Sequence, residues 1–480
     1  MSLKQKTISG LFWTFSQQFG VQFINFLVSI VLARLLMPAD FGLIGMLAIF
    51  IGIGSSLIDS GLTSSLIRTA EPNQRDYSTV FLINLVGSIV IYFILFFAAP
   101  FIAAFYNQSI LENIIKVYTL SFIINAFASV QRTKLTKEMN FKLQMTIQIP
   151  SLIGGGILGI MLANNGYGVW SLVYMNLFQS LLSTVQLWIR SGWKPSLIFD
   201  IEKFRYHFNF GYKLTLSGIL ETTFNNAYHI IIGKFFSADQ LGFYTRAQSL
   251  KQLPVQNISK ALNKVTYPLF SSIQNDNVKL KGAYKRLMQQ VLFWIAPAMI
   301  FLGIVAEPLF RFLLGEKWLP AVTYFQVLCA IGIMYPLNAY NLNILKVKGR
   351  SDLFLKLEII KKIIITIGIA CAIPFGIYGL LYFQLIFSIV GFFINTRYSG
   401  RMINYRINEQ LKDIIPTIML ALLMGSVVWA IDNFILKHAL SLDVVRVIVL
   451  GVIYFTLYLG ISYFSKMPAI LDFRLLVFKK

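Results

Sequence analysis

The stretch 241–271 carries four cations, Arg246, Lys251, Lys260 and Lys264, in a position that repeat register assigns to the membrane. On an ideal helix, Asn257, Lys260 and Lys264 fall within about 40° of Arg246, and Ser249 and Gln256 flank them. Intramembrane cations are costly unless they face water or an anionic ligand. Arginine suits bidentate contact with phosphate or carboxylate, whereas lysine acts as a compact point charge. Arg246 and Lys264 stand about 27 Å apart along a helix, so the spacing predicts a ladder of cations at different depths. The bland alternative is that the two end residues snorkel to the interfaces. Lys251 points away on the ideal wheel, unless Pro254 bends the helix.

Polar stripes accompany the ladder. Ser217, Glu221, Asn225 and His229 recur every fourth residue in 211–233. Gln18, Gln22, Asn25 and Ser29 do the same work in 11–33, and Gly52, Ser55, Ser56, Asp59 and Thr63 share a face in 41–62. Amides and hydroxyls of this kind suit sugar hydroxyls, and equally suit ordinary interhelical bonds. Glu221, Asp59 and His229 are the candidates for coupling to a proton or sodium gradient, or else for neutralising the cations. Other charges read as structural: Glu307–Arg311 and Glu358–Lys362 as (i, i+4) pairs, Lys116 as a snorkelling end residue, His207 and His438 as exposed loop residues. No His or Cys pair has metal-ligand spacing, no Walker A sequence occurs, and Cys329 and Cys371 sit in apolar segments as packing residues. No metal or bound cofactor is expected.

The elements that must hold these residues follow from composition. Of 480 residues, 56% are hydrophobic and 13% charged, about half the charge of a soluble domain. Fourteen spans can be placed at 11–33, 41–62, 79–104, 113–131, 143–164, 167–190, 211–233, 241–271, 287–314, 320–346, 354–375, 377–397, 411–432 and 444–465. The basic start MSLKQK leads into a long polar-studded stretch and reads as a first span rather than a removable signal. With the N-terminus inside, the outer loops keep only Arg34, Lys234, Arg311, Lys317, Lys437 and Arg446, while most other Lys and Arg fall inside. That is the positive-inside rule, with both termini cytoplasmic. The net charge of +22 is therefore mostly topology, not nucleic-acid binding. Trp13, Trp188, Trp193 and Trp318 are expected in the interfacial aromatic belt.

A weak internal repeat organises the spans. Ala33-Arg34-Leu35-Leu36 leads to Phe41-Gly42 as Gly233-Lys234-Phe235-Phe236 leads to Leu241-Gly242. Tyr167-Gly168 has a counterpart in Tyr378-Gly379, and the basic loop 132–142 has one in 346–356. The expected architecture is an all-α integral membrane protein of two pseudo-repeated six-helix lobes plus two C-terminal helices. Its parts are an N-lobe (1–190), a cytoplasmic linker (191–210, with an amphipathic 199–210), a C-lobe (211–400), and spans 13–14 with a cytoplasmic tail (401–480).

LARLLMPADFGLIGM (Leu32 to Met46) and LLGEKWLPAVTYFQVL (Leu313 to Leu328) resemble the Wzx-like polysaccharide-transporter family. That family belongs to the MOP exporter superfamily, which also holds lipid II flippases and MATE antiporters. The motifs mark helix ends; likeness in length and span number covers nearly the whole chain. The resemblance implies flipping of an undecaprenyl-diphosphate-linked oligosaccharide from the cytoplasmic to the outer leaflet by alternating access. Capsule, exopolysaccharide, lipopolysaccharide or O-antigen assembly would consume the product. It also implies a bacterial cytoplasmic membrane, a lipid-tail groove shaped by spans 13 and 14, and as partners the lipid-linked oligosaccharide, membrane lipids and a polysaccharide polymerase complex.

The main competitor is a MATE-type cation-coupled antiporter for small molecules. Such pumps favour organic cations, which a basic cavity repels. A membrane polymerase or glycosyltransferase would need a large loop or domain with catalytic carboxylates, and the outer loops are short and poor in them. A pure scaffold leaves the intramembrane charges unexplained. The expectation is a transporter, not an enzyme.

Overall fold

Apolar runs as long as a bilayer is thick leave the helix as the way to satisfy every backbone group within one segment. The computed structural model describes residues 3–59 and 61–472, without the side chains of 3–12, 14, 15, 59, 256–265, 267 and 268. Among the described residues every regular element is helical. In chain order the α-helices are α1 (Leu3–Leu35), α2 (Pro38–Asp59), α3 (Leu62–Arg68), α4 (Gln74–Tyr106), α5 (Ile110–Tyr118), α6 (Leu120–Lys137) and α7 (Phe141–Asn164). Then come α8 (Trp170–Arg190), α9 (Ile201–Asn225), α10 (Ala227–Phe235), α11 (Ala238–Ser272), α12 (Asn277–Ile304) and α13 (Ala306–Leu313). The last are α14 (Ala321–Val347), α15 (Ser351–Ala372), α16 (Gly376–Met402), α17 (Ile407–Ile431), α18 (Lys437–Ala439) and α19 (Asp443–Phe464).

Among the described residues, eleven helical stretches are long and apolar enough to cross a membrane, and one of them, Ser351–Met402, contains both α15 and α16. α9–α10 and α11, at the seventh and eighth expected spans, are helical but too polar to join the eleven. Apolar length alone therefore does not reach the expected fourteen. The outward face is that of a multi-pass membrane protein: on α4, Phe97 is 68% and Phe101 77% exposed. A ridge of that kind is stable against lipid and not against water.

Contacts divide the chain into two compact units, Met1–Gly242 and Phe243–Lys480. The division falls within α11. In the first unit α7 packs between α1 and α8, α6 packs on α4 and α8, and α9 lies on α2 and α3. In the second, α14 packs on α12 and α16, while α17 packs on α12 and α19.

The 191–200 segment is pinned along the start of α4. Trp193 Nε1 donates to Gln74 Oε1 at 2.6 Å, Ser196 N to Ser78 Oγ at 3.0 Å, and Asp200 N to Thr79 Oγ1 at 3.1 Å. Asp200 then caps α9, accepting from the backbone of Glu202 and Lys203. The amphipathic 201–210 stretch and the following span are one continuous helix, α9. That helix breaks at Asn226, whose Nδ2 donates to Thr222 O at 2.9 Å and so offers the backbone an alternative to its own ladder.

Several structural expectations change. Trp193 and Trp318 are buried within the protein, Trp193 in a cluster with Tyr77 and Phe81 and Trp318 edge-on to Phe243. Glu358 pairs with Lys361 rather than Lys362, one position round the helix. Glu307–Arg311 forms as expected at 2.7 Å, and Lys116 pairs with Glu112 at 2.6 Å. Cys329 is buried, but Cys371 is exposed.

Candidate functional site

A polar interior of the first unit lies between α1, α6, α7 and α8. On α8, Asn176, Gln179, Ser180 and Ser183 recur at helical spacing, which puts them on one face. They line a cavity of about 320 Å³ together with Gln17 of α1, Asn125 and Arg132 of α6, and Gln144, Gln148 and Ser151 of α7. A second cavity of about 190 Å³ shares Asn125 and Arg132 and reaches Ser55 and Ile58 of α2. Packing, not chance, keeps these helices apart at the right distance. Gly155 abuts the Met175 carbonyl and Gln179, and Gly156 abuts Val28, so larger residues would drive α7 off α8 and α1.

Part of the lining is fixed by its own bonds. Gln17 Nε2 donates to Gln148 Oε1 at 2.6 Å, Gln144 Nε2 to Thr136 Oγ1 at 3.1 Å, and Gln186 Nε2 to Ser151 Oγ at 2.9 Å. Asn125 Nδ2 reaches Ser180 Oγ at 3.4 Å. The charge is asymmetric: among the described lining residues Arg132 is the one ionised side chain, and no carboxylate lines either cavity. Arg132 is exposed and has no ion-pair partner among the described residues, whereas its neighbour Lys134 pairs with Glu138. The arrangement offers hydroxyl-matching amides around one cation.

The residues expected from sequence lie elsewhere. Gln18 and Gln22 are half-buried and Asn25 is exposed on α1, and none of the three lines these cavities; the α1 residue that does is Gln17. Glu221 and Asn225 are exposed on α9, and the break at Asn226 puts His229 on α10, so the expected four-residue stripe is not one continuous face. The α9 residue turned to α2 is Thr222, whose Oγ1 lies 3.4 Å from Ser56 Oγ. Arg246 is half-buried on α11, and Lys251 is buried against Gly332 of α14. The side chains of Asp59, Asn257, Lys260 and Lys264 lie outside the described ones.

His207, expected as an exposed loop residue, is instead fully buried in α9. Its Nδ1 lies 2.7 Å from Ser65 Oγ of α3 and its Nε2 3.2 Å from Asp76 Oδ1 of α4. Lys203 Nζ completes the group, 3.0 Å from the same carboxylate. Since the carboxylate only accepts, Nε2 carries the proton and Ser65 donates to Nδ1. Burial holds the His207 pKa below its usual value, against the opposing pull of Asp76. The composition is that of a hydrolytic triad, but all three side chains are buried and Ser65 lines none of the cavities. It joins α3, α4 and α9.

The sequence model of the polysaccharide biosynthesis protein family matches residues 31–323, well over half of the chain and most of the helices just described. The chain belongs to that family. Among its relatives, teichuronic acid biosynthesis protein TuaB of Bacillus subtilis (strain 168) is 23% identical over 434 residues, covering 90% of each chain. Lipopolysaccharide biosynthesis protein WzxC of Escherichia coli (strain K12) is 24% identical over 405 residues, covering 82% of each. Among solved structures, the lipid II flippase MurJ in an inward closed conformation superposes with a TM-score of 0.74 at 15% identity, over 95% of this chain and 99% of that one. At that identity the likeness shows a shared fold. The fold is that of an all-α transporter, as expected from sequence.

Proposed function

We propose that this protein is a flippase for undecaprenyl-diphosphate-linked oligosaccharide units, moving them from the cytoplasmic to the outer leaflet by alternating access. The observation that carries the reading is the cavity between α1, α6, α7 and α8: amides, hydroxyls and one arginine, with no carboxylate among its described lining. Interiors of membrane helices are polar where a polar cargo passes. Sugar hydroxyls match amides and hydroxyls, and an organic cation is repelled by Arg132, which argues against a multidrug antiporter. Family membership, and relatives named for teichuronic acid and lipopolysaccharide biosynthesis, support the same class of cargo.

The proposal extends to parts that rest on sequence. The cations of α11, Arg246, Lys260 and Lys264, with Asn257, offer counter-charge to the diphosphate, and Gln18, Gln22, Asn25 and Asn225 offer hydrogen bonds to the sugars. Glu221, Asp59 and His229 couple transport to a proton or sodium gradient. The protein resides in the bacterial cytoplasmic membrane with both termini inside, and hands its cargo to a polysaccharide polymerase complex.

Complementation of a flippase-deficient strain tests the reading, with surface polymer and retained lipid-linked units as readouts. Wild type is expected to restore polymer and clear the precursor, and Arg246→Ala and Lys260→Ala to lose polymer while precursor accumulates. Wild-type expression that leaves both readouts unchanged sinks the function; full export by both variants removes only the α11 assignment.

A further inference from the structure

We infer that the cavity between α1, α6, α7 and α8 is a binding site for an acidic sugar, in which Arg132 holds the sugar's carboxylate and the α8 face holds its hydroxyls. The inference rests on the flippase reading and adds the substrate class and the subsite. Three observations carry it. First, the internal bonds of the lining leave a definite remainder. Gln17 and Gln148 bond each other, and Gln144 is bonded to Thr136. Asn176, Gln179 and Ser183 of α8 make no side-chain bond among the described residues and stand on one helical face of the cavity. Second, among the described residues Arg132 has no carboxylate partner and no carboxylate lines either cavity, so its charge is open to an anionic ligand. A guanidinium presents a planar fork that a carboxylate meets with two parallel bonds. Third, a volume of about 320 Å³ is at the small end of ligand pockets, the size for one sugar residue rather than a whole repeat unit. Arg132 also fronts the adjoining cavity toward Ser55, which gives the rest of the glycan a polar way out.

A diphosphate would satisfy the same guanidinium, so the test separates the two anions. Purified protein in nanodiscs is titrated with a glucuronate-bearing disaccharide, its neutral glucose-bearing counterpart and inorganic pyrophosphate. The glucuronate disaccharide is expected to bind about tenfold more tightly than the neutral one. Arg132→Gln is expected to erase that preference, Arg132→Lys to weaken it without reversing it because the charge stays and the two-bond fork is lost, and Lys134→Gln to leave it untouched. Asn176→Asp, which sets a carboxylate in the cavity, is expected to abolish acidic-sugar binding while the melting temperature stays near wild type. Equal affinity for both disaccharides, or a preference that survives Arg132→Gln, overturns the inference. Pyrophosphate binding that depends on Arg132 without uronate binding also overturns it, and assigns the residue to the lipid carrier. None of these failures touches the flippase reading, which stands or falls on precursor clearance in cells.

Discussion

Gly42 and Gly242 meet reciprocally across two helix starts. A Cβ on Gly42 would overlap the carbonyl of Ala238, and one on Gly242 would overlap the carbonyl of Pro38. These are the glycines that the internal repeat sets two hundred positions apart, so the repeat is realised as a crossing of the first turns of α2 and α11. Both obstacles are backbone, which cannot swing aside as a side chain can.

Gly42→Ala or Gly242→Ala is therefore expected to cost more than the ~1–3 kcal/mol typical of overpacking a core. Gly282→Ala, on an exposed turn of α12 with open space around it, is expected to stabilise by about 0.5–1 kcal/mol. Melting in detergent checks both; a Gly42→Ala protein as stable as wild type would mean that the crossing can loosen.

The buried His207 makes stability depend on pH. The unfolded chain takes up a proton near pH 6.5, the folded chain only at lower pH, because burial holds the imidazole neutral. Below about pH 6.5 the unfolded state thus binds more protons, so stability is full above that pH and falls on acidification. His207→Gln retains a bonding side chain but cannot titrate. It should lower melting at neutral pH and lose less than wild type between pH 7.5 and 5.5. Parallel pH profiles for the two proteins count against the assignment.

Asp432 and Arg446 form a bidentate pair in which both side chains are buried, joining the π-helical turn after α17 to α19. Removing one partner leaves the other charge buried, so Asp432→Asn or Arg446→Leu is expected to cost ~3–5 kcal/mol. The double change to Asp432→Leu with Arg446→Leu should recover most of that loss. If the double variant is as unstable as the single ones, the pair does more than neutralise itself.

Coupling is tested at Glu221. Transport of a fluorescent lipid-linked unit into proteoliposome interiors should lose its dependence on an imposed proton or sodium gradient in Glu221→Gln, with basal flipping retained. Undiminished gradient dependence removes Glu221, which is exposed on α9, from the coupling set.

Helix positions were legible because apolar runs and charged loops are long-range averages. The side-chain geometry was less so. Gln17 lines the cavity where Gln18 was expected, since one residue turns a helix by about 100°. The α8 face of Asn176, Gln179, Ser180 and Ser183 and the α7 stripe of Gln144, Gln148 and Ser151 were readable from spacing alone, but on α1 and α6 the lining residues are too few to make a stripe. His207 sits in an amphipathic stretch with Lys203 and Arg205, which reads as a solvated face. Only the distant Asp76 and Ser65 give its burial a reason. The break between Asn225 and Ala227 likewise depends on the Asn226 side chain turning back to its own helix.

Lys137, at the end of α6, donates to the carbonyls of Leu66, Ile67 and Thr69 at the end of α3. Lys348 does the same for Gln274 after α11, also donating to Asn277 Oδ1 at 2.6 Å. At α3 the helix end presents its carbonyls before the lysine that closes them has been made. A nascent chain that ends before Lys137 would leave the α3 carbonyls to water. Nascent chains arrested just before Lys137 should expose the 66–69 segment to protease, and chains arrested well beyond it should not.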